Sequence, residues 1–269
     1  MRQQKKPSPT RNNLRPIFIF CAVVFLVITT SLLFKLSVLI KDSKVDKADT
    51  FTVLFVYKDD VDIVTLSSNE KKLSHLKIIG KGTVEDKLHA SGILPDDKLV
   101  LKNTFEGYTM TSSYFYDAAL HKKGIKTTLS FYDLMRLALQ SKSVTTSSMD
   151  TKSIRLPVDE NVIDALVVKM LKDQSFIQDN KTISIVNATG LVGVGTKFGR
   201  IFSNMGLTVV SVTNGEKIQE NSDISYYGDK SYTTSRLSSL LMINPKNNTM
   251  LGLSDIILTL GKDKSDIYK

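Results

Sequence analysis

Residues 182–212, TISIVNATGLVGVGTKFGRIFSNMGLTVVSV, pass from an apolar β-branched run into a glycine-spaced turn, then into an amphipathic run and a second apolar run. Strand, turn, helix and strand in that order also frame a dinucleotide site, so the glycines decide between a phosphate cradle and a scaffold. A cradle needs G-x-G-x-x-G and an acid about 20 residues on to hold the ribose. Here Gly193-x-Gly195-x-x-x-Gly199 misses the third spacing by one residue, and the second strand ends in Thr213-Asn214-Gly215, with Glu216 beyond the turn. A P-loop fails as well, because Gly-Lys-Ser/Thr after four intervening residues is absent. The scaffold reading accounts for every position. Asn187 and Thr189 suit a strand end and a capped turn, Gly193 and Gly195 permit a tight helix entry, and Gly199 lets helix and sheet approach. Gly206, after Asn204-Met205, stops the helix.

Downstream, the rhythm continues as a strand near 223–227, a helix near 232–242 and a strand at 255–260. A βαββαβ unit of this length forms one sheet with both helices against one face, a two-layer α/β sandwich. Upstream, residues 159–172 place Val162, Ile163, Leu166 and Met170 on one helical face, and residues 129–139 place Leu134, Leu137 and Ala138 on another. Between them SKSVTTSSMDTKS, residues 141–153, is poor in apolar residues and reads as a flexible loop. Residues 51–57, 62–68 and 73–79 are short runs rich in β-branched, aromatic and aliphatic residues, punctuated by Lys58-Asp59-Asp60 and Asn69-Glu70-Lys71, and predict a three-stranded meander. The expected fold class is therefore α/β, with soluble domains at 51–175 and 181–263 behind a charged spacer at 41–50.

The net charge of +9 invites a nucleic-acid reading, but six basic residues and no acid lie within residues 1–40, which leaves +3 for everything else. No basic footprint for nucleic acid exists beyond that tail. Residues 17–34, IFIFCAVVFLVITTSLLF, carry no charge and span about 27 Å as a helix. The apolar run resumes after Lys35, whose ammonium snorkels, so a transmembrane helix is expected over 17–40. No small-x-small site follows to mark a cleaved signal. The basic tail, residues 1–16, predicts a cytoplasmic N-terminus in a single-pass protein of the cell membrane, with the remainder outside. Cys21, the sole cysteine, lies within the span.

Several of these features occur together, in order, over about 181–263: Val186-Asn187-Ala188-Thr189-Gly190, the small-residue helix ending in Asn204-Met205-Gly206, Ile224-Ser225-Tyr226-Tyr227, and Asp255-Ile256-Ile257-Leu258-Thr259-Leu260-Gly261-Lys262-Asp263. This segment resembles the C-terminal domain of LytR-CpsA-Psr proteins, with Asn187, Thr189, Gly190 and Gly206 as its defining turn and stop. The resemblance implies a bacterial envelope protein with a cytoplasmic tail, one transmembrane helix and an extracytoplasmic part. Many relatives carry a domain that transfers glycopolymers from a polyprenyl-diphosphate carrier, using a Pro-Arg-Asp-Thr element after an early meander. Here the matching element is Gly80-Lys81-Gly82-Thr83. Lysine is a point charge without the bidentate fork, and glycine offers no carboxylate to Mg2+. Asp59, Asp60 and Asp62 with Lys81 remain as an alternative diphosphate and metal site, although acids in a turn are more often solvated.

The expectation is a noncatalytic protein that binds or organises cell-wall glycans or envelope proteins, with no resident cofactor or metal and no nucleic-acid partner. The alternatives are a glycopolymer transferase, which alone would require Mg2+, and a nucleotide-binding module. Other chemistry is thin. His75, His89 and His121 lack ligand spacing, and Tyr108, Tyr114, Phe115 and Tyr116 suit core packing better than sugar stacking.

Overall fold

The computed structural model describes residues 15–102, 111–120, 125–248 and 252–266. Most of the basic tail, together with Tyr108 and His121, lies outside the described residues. The chain divides into two units, Met1–Asp42 and Ser43–Lys269. The first contains α1 (Arg15–Lys41), whose apolar side chains are exposed along its length. It is long and apolar enough to cross a membrane.

The second unit holds two five-stranded sheets. The predicted meander forms as β1 (Thr50–Tyr57), β2 (Asp60–Ser67) and β3 (Lys72–Ile79), all antiparallel. Two further strands, β4 (Asp97–Val100) and β5 (Met149–Arg155), lie parallel to β1 and β3 and give the order β4-β1-β2-β3-β5. Alternation along β1 sends Phe51, Val53 and Phe55 to one face and Leu54 and Val56 to the other. Helices α3 (Thr111–Leu120) and α4 (Phe131–Ser143) pack on the first face. Helices α2 (Val84–Ser91) and α5 (Glu160–Leu171) pack on the second, so this sheet is clad on both sides. Phe115 is fully buried, with Tyr114 and Tyr116 packed against its cluster, as core packing requires.

Two sequence expectations are corrected here. Residues 141–153 are no flexible loop: α4 runs to Ser143, and Met149 onward pairs with β3 as an edge strand. Edge strands tolerate polar composition because one side faces solvent, which is why the stretch mimics a loop. From Ser43 on, the charged spacer is part of the second unit. Ser43, Val45 and Ala48 are buried, and Asp133 Oδ1 accepts hydrogen bonds from Ser43 Oγ at 2.6 Å and from the amides of Lys44 and Val45 at 3.1 and 3.3 Å. The other oxygen of Asp133 closes the capping box of α4 with Ser130.

The second sheet comprises β6 (Thr182–Asn187), β7 (Thr208–Asn214), β8 (Asp223–Tyr227), β9 (Lys246–Asn248) and β10 (Ile256–Leu260) in the order β7-β6-β10-β8-β9. Helices α7 (Val194–Met205) and α8 (Tyr232–Leu241) share one core with the sheet face formed by Ile183, Ile185, Ile224, Ile256 and Leu258, which makes the expected two layers. The three-residue β9 is the one strand added to the predicted pattern. The two sheets belong to a single compact unit in place of two separate domains. A short helix, α6 (Gln174–Asp179), joins them in sequence.

Candidate functional site

The predicted acids sit at the end of the first sheet where β1 turns into β2. Lys58 takes φ 52° in that turn, Asp59 and Asp60 are exposed, and the Asp59 carbonyl accepts from the Nζ of Lys87 on α2. Lys87 is almost completely buried, and no sequence pattern marked it. Asp62 behaves differently from a solvated turn acid. It lies inside β2, 4% exposed, and a 2.7 Å hydrogen bond joins its Oδ1 to Nε2 of His75 on β3. Register explains the pair, since Asp62 is opposite Lys77 and His75 opposite Val64, so the two face the same side on adjacent strands. The signal was present as the alternation of both strands, but pairing residues 13 apart requires the hairpin register.

Beyond β3, the Gly80-Lys81-Gly82-Thr83 element is a helix entry. Thr83 caps α2 in a capping box with Asp86, its Oγ1 accepting from the Asp86 amide at 3.1 Å and its amide donating to Asp86 Oδ2 at 2.9 Å. The hydrogen bond from the Thr83 amide, foremost, holds the Asp86 carboxyl below its ordinary pKa. Gly82 has φ +114°, and a Cβ there would lie 3.2 Å from the Cβ and Oδ2 of Asp86. An aspartate at 82 would therefore be strained in its backbone and would crowd a like charge. Lys81 is exposed, whereas Asp62 is buried with His75. Among the described residues no group of three or more His, Cys, Asp or Glu side chains is placed to hold a metal ion.

The turn after β6 spends its polar groups on itself. Asn187 Oδ1 accepts from the amide and hydroxyl of Thr189, Asn187 Nδ2 donates to the Leu191 carbonyl, and Thr189 Oγ1 accepts from the Leu191 amide. Gly190 takes φ +81°, and Gly206 takes φ +99° at the C-terminus of α7. A Cβ on Gly195 would lie 3.0 Å from Val212 and 3.1 Å from Asn187, and one on Gly199 would lie 3.2 Å from Val212, so both positions serve close helix–sheet packing. The start of α7 borders a cavity of about 250 Å³ lined by Lys197 and His89 but also by Asp266, a poor neighbour for a phosphate. Burial, ahead of Lys197, lowers the pKa of His89.

Charged chemistry is densest where the two sheets meet, a seam that sequence reasoning did not place. Arg236 of α8 is 3% exposed and grips Asp96 through both Nη atoms, at 2.5 and 2.8 Å, while Nη2 also donates to the Thr50 carbonyl at 3.0 Å. Burial opposes its charge, and Asp96 more than offsets this, so the guanidinium pKa rises. Tyr232 donates to Asp173 at 2.8 Å and accepts from the Asp49 amide. Burial pushes the Asp173 carboxyl up, against the hydrogen bond from Tyr232. Arg200 of α7 makes a bidentate contact with Asp164 of α5 and donates to the Ala90 carbonyl. These groups lock the halves together.

No protein-family model matches the chain, and no curated protein matches it. Among solved structures, the transcriptional regulator yvhJ of Bacillus subtilis is similar at 12% identity, over 39% of this chain and 82% of that one, with a TM-score of 0.29. Lin1025 of Listeria innocua is similar at 8% identity, over 40% and 83%, with a TM-score of 0.30. TagV of B. subtilis is similar at 9% identity, over 39% and 84%, with a TM-score of 0.28. These neighbours are LytR-CpsA-Psr family proteins at low identity. At such scores the overlap does not equate residues between the chains.

Proposed function

We propose that the protein is a single-pass membrane protein of the bacterial cell envelope, related to LytR-CpsA-Psr proteins, whose second unit binds or organises envelope polymers without transfer chemistry. Residues 181–263 are read as a relative of the LytR C-terminal domain, and the second unit as extracytoplasmic. The observation that carries the noncatalytic reading is the backbone at Gly82, where φ +114° and the nearby Asp86 oppose the carboxylate that the resemblance expects. Asp62, the remaining acid with a fixed position, is spent on His75. The apolar, fully exposed α1 supports the membrane anchor.

The test is calorimetry on the full chain in lipid nanodiscs, titrated with polyprenyl diphosphate plus Mg2+ and separately with peptidoglycan fragments. Heat from the glycan alone is the expected result. Saturable heat from the lipid diphosphate, lost in Asp62→Asn, would overturn the noncatalytic reading and favour a transferase.

A further inference from the structure

The α5 side of the first sheet carries two kinds of cross-strand row. Val56–Val61–Ile78 and Leu54–Ile63–Leu76 are apolar and belong to the core under α2 and α5. Toward the other end of the same face the rows become Thr52–Thr65–Ser74–Asp150 and Thr50–Ser67–Lys72. Thr50, Thr52, Thr65 and Ser74 are 5, 8, 3 and 2% exposed, so four hydroxyl-bearing residues are nine-tenths buried on one sheet face. The Thr52 and Thr65 hydroxyls pair at 3.0 Å. Thr50 and Ser74 both line a cavity of about 280 Å³.

A half-face of buried hydroxyls under a helix costs free energy unless something polar meets it. At ~30 Å³ per water the cavity takes about nine waters, or a polar ligand of that size. Its rim is charged: Lys72, Lys169 and Lys172 face one carboxylate, Glu70. The last turn of α5 forms another wall, and its free carbonyls carry partial negative charge that disfavours a bare anion but accepts hydrogen bonds from hydroxyls. A fitting ligand therefore brings hydroxyls for the Thr50 and Ser74 floor and the helix carbonyls, and one negative group for the lysines.

We propose that this cavity binds a sugar unit bearing one anionic group, a phosphate ester or a carboxylate. It lies at the opposite end of the first sheet from Asp59, Asp60 and Lys81. The inference rests on the binding function proposed above for its setting and on the cavity alone for its chemistry. Its size suits a single ring, and none of the described residues lining it is aromatic, so the single-site affinity is weak and a polymer gains its hold through repeated units.

The experiment is saturation-transfer NMR with titration of the full chain in detergent micelles, using glucose 6-phosphate, glucuronate, glucose and inorganic phosphate. Glucose 6-phosphate and glucuronate are expected to bind and compete with one another, with glucose and phosphate at least tenfold weaker. Lys172→Gln, at a half-exposed position, is expected to weaken both anionic sugars about tenfold with an unchanged melting temperature, and Ser74→Val to abolish binding. Failure of both anionic sugars to bind, equal binding by inorganic phosphate, or wild-type affinity in both variants would overturn the proposal. Peptidoglycan binding that persists while both anionic sugars fail would sink this site and leave the broader binding function standing.

Discussion

The two sheets of the second unit solve the same problem differently. The first is clad on both faces, so polar residues in the middle of its central strands are buried and must find a partner or a wet cavity. Asp62 with His75, Thr52 with Thr65, and the hydroxyl floor all belong to it. The second is clad on one face, so Ser184, Ser211, Ser225 and Thr259 turn away from the helices and need little beyond one another or water. Polar chemistry inside a fold is thus a consequence of layer number: a sheet between two helical layers converts a strand hydroxyl into a functional commitment. The seam joins the two solutions, and its contribution decides whether they unfold separately or as one.

The largest expected effect lies there. Arg236→Met leaves the buried Asp96 carboxylate with only the Thr52 amide and no counter-charge, and is expected to cost about 3–5 kcal/mol, read as a lowered denaturant midpoint of the full chain in detergent. Replacing Asp96 with Leu in the same chain removes the uncompensated charge and should recover part of that loss, the rest being the Thr52 amide left without its acceptor. If Arg236→Met instead leaves the midpoint unchanged while a second transition appears, the halves are independent and the seam does not couple them. Asp133→Ala strands the donors at Ser43, Lys44 and Val45 and is expected to cost about 2–3 kcal/mol. Because Asp133 belongs to the first half alone, a single shared transition in this variant would show that the seam transmits the damage. Gly195→Ala tests the second half, where a methyl 3.0 Å from Val212 should cost about 1–3 kcal/mol.

Acid titration separates the regions by sign. Asp255 clamps β10 to β6 by accepting from the amide and hydroxyl of Thr182 at 2.9 and 2.8 Å, and the amide bond foremost depresses its pKa. Its contribution is present above the ordinary carboxylate value and is lost as pH falls through the lower folded value. Asp173 runs the other way: with a folded pKa raised by burial, its contribution is full below the ordinary value and is lost as pH rises through the folded one. Asp255→Asn is therefore expected to flatten the acid limb of stability against pH, and Asp173→Asn to steepen it. The Asp255 effect is the smallest, because its side chain is 37% exposed and solvent screens it.

Much of the second half was legible in the sequence because its determinants are local. The turn at Asn187 and Thr189, the close approach at Gly195 and Gly199, and the stop at Gly206 each act within a few residues or on the next strand. The meander was legible for the same reason. The edge strand β5 was not, since its polar composition follows from its place at a sheet edge rather than from any loop. Asp62 with His75 needed a register, and Arg236 with Asp96 spans 140 positions, a pairing that no periodicity marks. The same distance dependence hid Lys87 and the hydroxyl floor.

Asp133 carries a consequence for any cut between α1 and the second unit. Three of its hydrogen bonds come from residues 43–45, just downstream of α1, so a protease that cut after Lys47 to free the body would also remove the segment that plugs a buried carboxylate. Shedding and loss of structure are coupled at this point. A shortened form that keeps its fold must begin at or before Ser43, which makes residues 43–45 an inseparable part of the second unit.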